Sequence, residues 1–265
     1  MPFALAPAST LTPAERAALF TAAYEGYLLP FVVDEPTLRF MEHAFDLVPE
    51  ASLVARAHGE PVGLANLGLR GPDAWVGGVG VVPSLRGAGI GEALMQALAE
   101  EARRRGAERV WLEVIVENTA ALRLYEKLGY EHVRDVEVWS LSGEEAARRN
   151  QVPLAEARTW IGAHRTTREP WQRSDTTVDR LTGLEPPPQG LLVDGGAAVV
   201  RVVDGRVNVA QLAGAARTVL DAVRALGETV SLVNLPVDDP AAAVFRELGG
   251  EVVVRQHELV LELGA

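Results

Sequence analysis

Residues 79–92 read Val-Gly-Val-Val-Pro-Ser-Leu-Arg-Gly-Ala-Gly-Ile-Gly-Glu, and this run constrains the chain more than any other. The β-branched stretch Val79–Val82 predicts a strand that stops at Pro83. A turn over Arg86–Gly91 comes next, and a helical pattern then runs from Glu92 to Arg105. Strand, glycine turn and helix start, in that order, make a phosphate cradle. The first N–H groups of a helix have no partner inside it, and the helix dipole favours negative charge beside them. Glycine lets the backbone approach without a Cβ in the way. Arg86 adds a cation next to the turn.

Two other phosphate-binding readings compete with this one. A P-loop is excluded, because Gly-Lys-Ser/Thr occurs nowhere in the chain. A dinucleotide fingerprint gains from Glu113, about 20 residues on, where a ribose-binding acid would stand. It loses because Glu92 occupies the place of the third glycine or alanine. The pattern Arg-x-x-Gly-x-Gly instead resembles the run that acetyl-CoA-binding N-acetyltransferases of the GNAT superfamily carry at this junction. Residues 109–130 extend the resemblance, as Arg-Val-Trp-Leu-Glu-Val-Ile-Val-Glu-Asn-Thr-Ala-Ala-Leu-Arg-Leu-Tyr-Glu-Lys-Leu-Gly-Tyr. They are similar to the family's strand, its Asn-x-x-Ala helix and its Leu-Tyr-x-x-x-Gly-Phe/Tyr ending. The likeness covers residues 3 to 141.

The resemblance implies an α/β (α+β) fold with a mixed, mostly antiparallel sheet flanked by helices. It also implies acetyl-CoA as co-substrate, with no metal. Its cofactor-binding positions fall on Val79, Gly80, Val81, Arg86, Gly87, Ala88, Gly89, Ile90, Gly91, Glu92, Asn118 and Tyr125. In the family the strand before the turn splays from its neighbour and admits the pantetheine arm. Here that strand carries Gly77, Gly78 and Gly80, and glycine inside a strand marks a bulge or a close approach.

Acetyl transfer to an amine needs a deprotonated nucleophile, and an ammonium with a pKa near 10 must first lose a proton. Glu113 stands among residues that alternate toward a core, where an idle charge would be costly. It matches the base position of ribosomal-protein-type N-terminal acetyltransferases, with Tyr125 twelve residues later as the matching acid. The alternatives are a carboxylate paired with an arginine and a core tyrosine anchoring its helix. Asn118 reads as the N-cap of that helix. Tyr24, Tyr27, Phe31, Phe40 and Trp75 are candidates for the acceptor mouth, or simply for core at helical spacing. The five histidines show no metal-ligand spacing.

The second half repeats the first faintly. Phe245-Arg-Glu-Leu-Gly-Gly echoes Tyr125-Glu-Lys-Leu-Gly-Tyr, and Gly227 answers Gly106. A repeat this long points to a duplicated domain. The copy has no arginine–glycine turn, Phe245 replaces Tyr125 and Val233 replaces Glu113. The expected organisation is a GNAT domain over 1–141, a helical connector over 142–189 ending in Pro186-Pro187-Pro188, and a degenerate copy over 190–265. The mycothiol synthases look similar in organisation, but there the competent half is the second.

Composition excludes further classes. No cysteine is present, which removes disulfides and any acyl-cysteine intermediate. A net charge of −11 offers no basic stripe to nucleic acid and reads as ordinary solubility charge. No apolar run is long enough to span a membrane. The expectation is a cytoplasmic enzyme whose partner is a small-molecule or peptide amine, with a homodimer as a possible state. A non-catalytic acetyl-CoA-binding regulator, with the second half as output module, is the alternative.

Overall fold

The structure of the protein is a computed structural model that describes residues 2–144 and 151–264. Two compact units divide the chain. Unit 1 comprises residues 1–133 and 257–265, and unit 2 comprises 134–256.

Unit 1 opens with β1 (Ala4–Pro7), α1 (Pro13–Ala23) and α2 (Glu35–Phe45). Thr12 starts α1 with a complete capping box: its hydroxyl accepts from the Glu15 N–H at 3.3 Å, and the Glu15 carboxylate accepts from the Thr12 N–H at 2.7 Å. Such a cap stabilises a helix by about 1 kcal/mol. The helix ends at Ala23, and Gly26 takes φ +69° and turns the chain away. The sheet continues with β2 (Leu53–Ala57), β3 (Glu60–Arg70) and β4 (Asp73–Val81). Then come α3 (Ile90–Arg104), β5 (Arg109–Ile115) and α4 (Thr119–Lys127).

The strand order in unit 1 is β1-β2-β3-β4-β5, followed by the last strand of the chain, β12 (Glu251–Glu262). The pairs from β1 to β4 are antiparallel, and β4–β5 is parallel. One core on the α3 side gathers Leu94, Met95, Leu98, Val110 and Leu112, with Leu259 and Leu263 from the C-terminal segment. A second, under α1 and α2, is built on Phe20, Leu38, Val54 and Leu64.

Unit 2 repeats this element order. After β6 (Glu131–Ser142) come β7 (Gln151–Val152), α5 (Leu154–His164), α6 (Asp175–Leu181) and β8 (Gln189–Val193). They are followed by β9 (Gly196–Val203), β10 (Arg206–Gly214), α7 (Ala216–Arg224), β11 (Thr229–Pro236) and α8 (Pro240–Glu247). The strand order is β6-β11-β10-β9-β8-β7, with β10–β11 parallel and the other pairs antiparallel.

The units run differently from the expected 1–141, 142–189 and 190–265. Residues 151–181 supply β7, α5 and α6, the counterparts of β1, α1 and α2, so the second copy begins within the expected connector. Each unit also receives the closing strand of the other copy: β6 beyond 133 falls in unit 2, and β12 beyond 256 falls in unit 1. Periodicity identifies a helix or a strand but says nothing about which sheet it joins. The part of the expected helical connector over 145–150 lies outside the described residues. Among the described residues, no helix is long and apolar enough to cross a membrane.

Candidate active site

β4 and β5 pair only at Asp73–Arg109, Ala74–Val110 and Trp75–Trp111, and separate beyond that point. A register shift between Ala65 and Leu67 of β3 marks the bulge in β4 at Gly77 and Gly78. Gly78 has φ +132°, and a Cβ there would lie 2.7 Å from the Phe20 ring. The glycine therefore serves both devices: it bends β4 away from β5 and lets α1 pack against the bend. A cleft of about 480 Å³ opens in the wedge.

At one end of the cleft lies the glycine turn. Gly87 and Gly89 take φ +77° and +82°, and space around both is open. Gly89 caps α3 without any side-chain bond, and the first intrahelical bond is Ala93 N–H to Gly89 O. The N–H groups at the start of α3 are therefore left to an external acceptor. This is an anion cradle that no side chain among the described residues caps, and it fits the diphosphate of a CoA-type ligand. Arg86 serves the turn in another way. Its Nε donates to Val81 O at 3.0 Å, and its Nη2 donates to Ala23 O at 3.0 Å and Glu25 O at 2.6 Å. The guanidinium thus fastens the end of α1 to the end of β4.

At the other end stand the candidate base and acid. Glu113 is half-buried on β5, and its Oε2 accepts the indole N–H of Trp75 at 2.8 Å. The same sheet face carries a second bond of this type, Trp111 Nε1 to Asp73 Oδ1 at 2.8 Å. Tyr125 projects from α4 into the cleft lining, buried, with its ring 5.6 Å from that of Tyr130. Burial, then the neighbouring Tyr130 and Tyr27 phenols, push its pKa well above the usual tyrosine range. Such a phenol keeps its proton at neutral pH, because burial disfavours the phenolate. Asn118 caps α4, accepting from Ala121 N–H at 3.2 Å, and its amide reaches the Tyr27 hydroxyl at 3.5 Å.

Of the sequence candidates, Val79, Gly80, Val81, Arg86, Gly87, Ile90, Gly91, Glu113, Asn118 and Tyr125 line this one cleft. Ala88 and Gly89 form the exposed outer part of the turn, and Glu92 turns its carboxylate to Lys127 at 2.6 Å. Tyr24 and Tyr27 line the cleft. Phe31 packs tilted against Tyr24 at 5.1 Å, while Phe40 meets Phe45, which in turn meets Trp75 at 5.7 Å. Sequence reasoning misses Leu28 and Glu117, both of which line the cleft from loops. The histidines give no spacing signal, yet His132 and His257 meet edge to face at 5.0 Å.

Unit 2 keeps the wedge and fills it. β10 and β11 pair over Arg206–Asn208 with Thr229–Ser231, then part. The turn Trp171–Arg173 occupies the opening: Arg173 is buried and donates through Nε to Ala210 O at 3.1 Å, at the β10 bulge. Its Nη2 pairs with Glu169 at 3.0 Å, and buried Gln211 donates to Arg173 O and Asp175 at 2.9 Å. No glycine turn precedes α7, which follows β10 after Ala215 alone. Phe245, fully buried, takes the place of Tyr125, and Val233 takes that of Glu113.

Comparison with known proteins bears on the family and the fold. Residues 19–130 match the Acetyltransferase (GNAT) family. They are a GNAT domain. A mycothiol acetyltransferase of Thermobispora bispora is 42% identical over 86 residues, which cover 32% of this chain and 29% of that protein. The chain thus matches under a third of that relative's length. The crystal structure of a GCN5-related N-acetyltransferase from Sphaerobacter thermophilus superposes with a TM-score of 0.74 at 21% identity, covering 99% of this chain and 96% of the other. A tandem GNAT protein from the clavulanic acid biosynthesis pathway gives 0.66 at 17% identity, over 100% and 99%. At those identities the likeness is one of fold, and the fold is that of a tandem GNAT protein with the GNAT domain first.

Proposed function

We propose that this chain is an acetyl-CoA-dependent N-acetyltransferase that acetylates a primary amine by direct transfer in a ternary complex. One observation carries the reading: a single cleft joins an uncapped anion cradle at the start of α3 to a carboxylate and a protonated phenol. The N–H groups of the turn and of the first residues of α3 would hold the diphosphate, and the freed edge of β4 at Val79–Val81 would hold the pantetheine arm. When bound, acetyl-CoA supplies a thioester electrophile and a thiolate leaving group. Glu113 takes a proton from the acceptor ammonium, so that a free amine faces the thioester. As the C–N bond forms and the C–S bond breaks, Tyr125 gives its hydroxyl proton to the departing sulfur and regains one from the acylated nitrogen. The filled wedge of unit 2 leaves that copy a structural part.

Calorimetry with acetyl-CoA tests the reading, together with CoA release across a panel of amines. One site per chain and amine-dependent release are expected. Binding without release from any amine would favour the regulator alternative, and two equivalent sites would contradict the part given to unit 2.

A further inference from the structure

On the transferase reading of this site, the cleft also constrains the chemistry of its acceptor. Among the described residues that line it, two carboxylates, Glu113 and Glu117, face one cation, Arg86. Arg86 belongs to the glycine-turn end and is turned to the carbonyls of Val81, Ala23 and Glu25. The cations on the elements flanking Trp75 are already paired. Arg70 bonds Asp46 at 2.7 Å and Ala44 O at 3.0 Å, and Arg109 bonds Asp73 at 2.9 Å. A carboxylate or phosphate on the acceptor would therefore enter against like charge with no guanidinium to receive it. An ammonium would meet two carboxylates in the same cleft.

The walls are apolar. Tyr24, Tyr27 and Leu28 line the cleft, and Phe31 packs tilted against Phe20 and Tyr24 at 5.3 and 5.1 Å. Leu28, Phe31 and Val32 remain 52%, 39% and 77% exposed, so three large apolar side chains in five residues face water beside the cleft. Clustered exposure of this kind marks a binding surface more often than chance. We infer that the acceptor is a cationic primary amine on an aromatic or branched apolar stem, carrying no acidic group of its own.

The test uses the full chain saturated with desulfo-CoA, titrated calorimetrically with phenethylamine, L-phenylalanine and 2-phenylethanol. These probes share a stem and differ in charge. Phenethylamine should bind at least tenfold more tightly than either of the others. Glu117→Gln, a change on an exposed loop residue, should narrow the gap between the amine and the amino acid, and Phe31→Ser should weaken the amine several-fold. Equal or tighter binding of phenylalanine, or no binding of phenethylamine, would overturn the inference. Phenethylamine binding without CoA release in the parallel acetyl-CoA assay would refute the transfer chemistry while supporting the acceptor class, so the two failures read differently.

Discussion

The indole N–H of Trp75 donates to Glu113 at 2.8 Å, and Trp75 is the last residue of β4 to pair with β5 before the strands part. The proposed base is thus held by a side chain rooted where the wedge begins. A hydrogen bond to a charged group is worth roughly 1.5–3 kcal/mol. Trp75→Phe keeps a ring against Phe45 but removes that donor. It should lower kcat about tenfold, a figure set by the lower end of that range, and leave acetyl-CoA affinity within experimental error. Unchanged kcat in a folded variant would reduce Trp75 to a packing residue.

Glu113→Gln and Tyr125→Phe separate chemistry from binding. Each keeps the shape of the cleft and removes one proton-transfer function. Turnover should fall on the order of 10²-fold in each, as for a typical acid–base group, with calorimetric acetyl-CoA binding retained. Wild-type rates in both would leave orientation as the sole catalytic device.

The glycine turn can be tested by charge. Gly89 sits at φ +82° with no atom within 4 Å of a built Cβ, so Gly89→Asp fits sterically at a backbone cost of about 1–2 kcal/mol. Its carboxylate would stand where the diphosphate is proposed, and acetyl-CoA affinity should fall by about tenfold or more, since the helix start would then present an anion to an anion. Gly78→Ala makes the opposite comparison. Its Cβ would meet Phe20 at 2.7 Å, so it should destabilise unit 1. If Gly89→Asp bound acetyl-CoA normally, the cradle would lie elsewhere.

Much of the fold and of the cleft is legible in the sequence, and the limits are physical. The glycine turn, the capping box at Thr12 and the Asn118 cap are local, since their partners lie within four residues, and all three can be read from residue types alone. The Trp75–Glu113 bond spans 38 positions and depends on where β4 stops pairing, which no periodicity records. Leu28 and Glu117 reach the cleft from loops, where no pattern fixes a side chain's direction. The exchange of β6 and β12 between copies is hidden for a similar reason: a strand's own pattern is the same whichever sheet it completes. Arg86 is visible beside the turn but its contacts are not, because three carbonyl acceptors leave no trace in side-chain identity.

All four tyrosines of the chain have pKa values pushed up, chiefly by burial. A phenol raised in the folded state contributes stability that is fully present below the unfolded value near 10 and is lost as pH climbs through the folded value. Absorbance at 295 nm should therefore show little tyrosinate in the native protein at pH 10, where the urea-unfolded chain is about half ionised. The unfolding free energy from urea titrations should hold steady to about pH 9.5 and then fall, by roughly 1.4 kcal/mol per pH unit for each fully buried phenol. Native titration near pH 10 would show that the phenols are open to water and that burial does not raise them.

The exchanged C-terminal segment makes the first unit dependent on the end of the chain. Leu259 and Leu263 are buried in the α3-side core of unit 1, and Leu261 packs against it. The Leu263 N–H donates to Glu108 O at 2.8 Å, and Arg103 donates twice to Leu263 O, at 3.1 and 2.9 Å. Burial of a leucine is worth roughly 1.5–3 kcal/mol, so losing the two buried leucines alone consumes a large part of a domain's margin. Their loss also uncovers β5 as an unpaired edge beside the proposed base, and an exposed edge invites aggregation. A chain ending at Leu141 keeps every residue of the candidate active site and should nonetheless be insoluble, or soluble without acetyl-CoA binding. Linking residues 254–264 to that chain through a flexible Gly-Ser spacer should restore solubility and binding without the rest of unit 2. A soluble, fully active chain ending at Leu141 would show that unit 1 closes its own sheet, and the segment would then be dispensable.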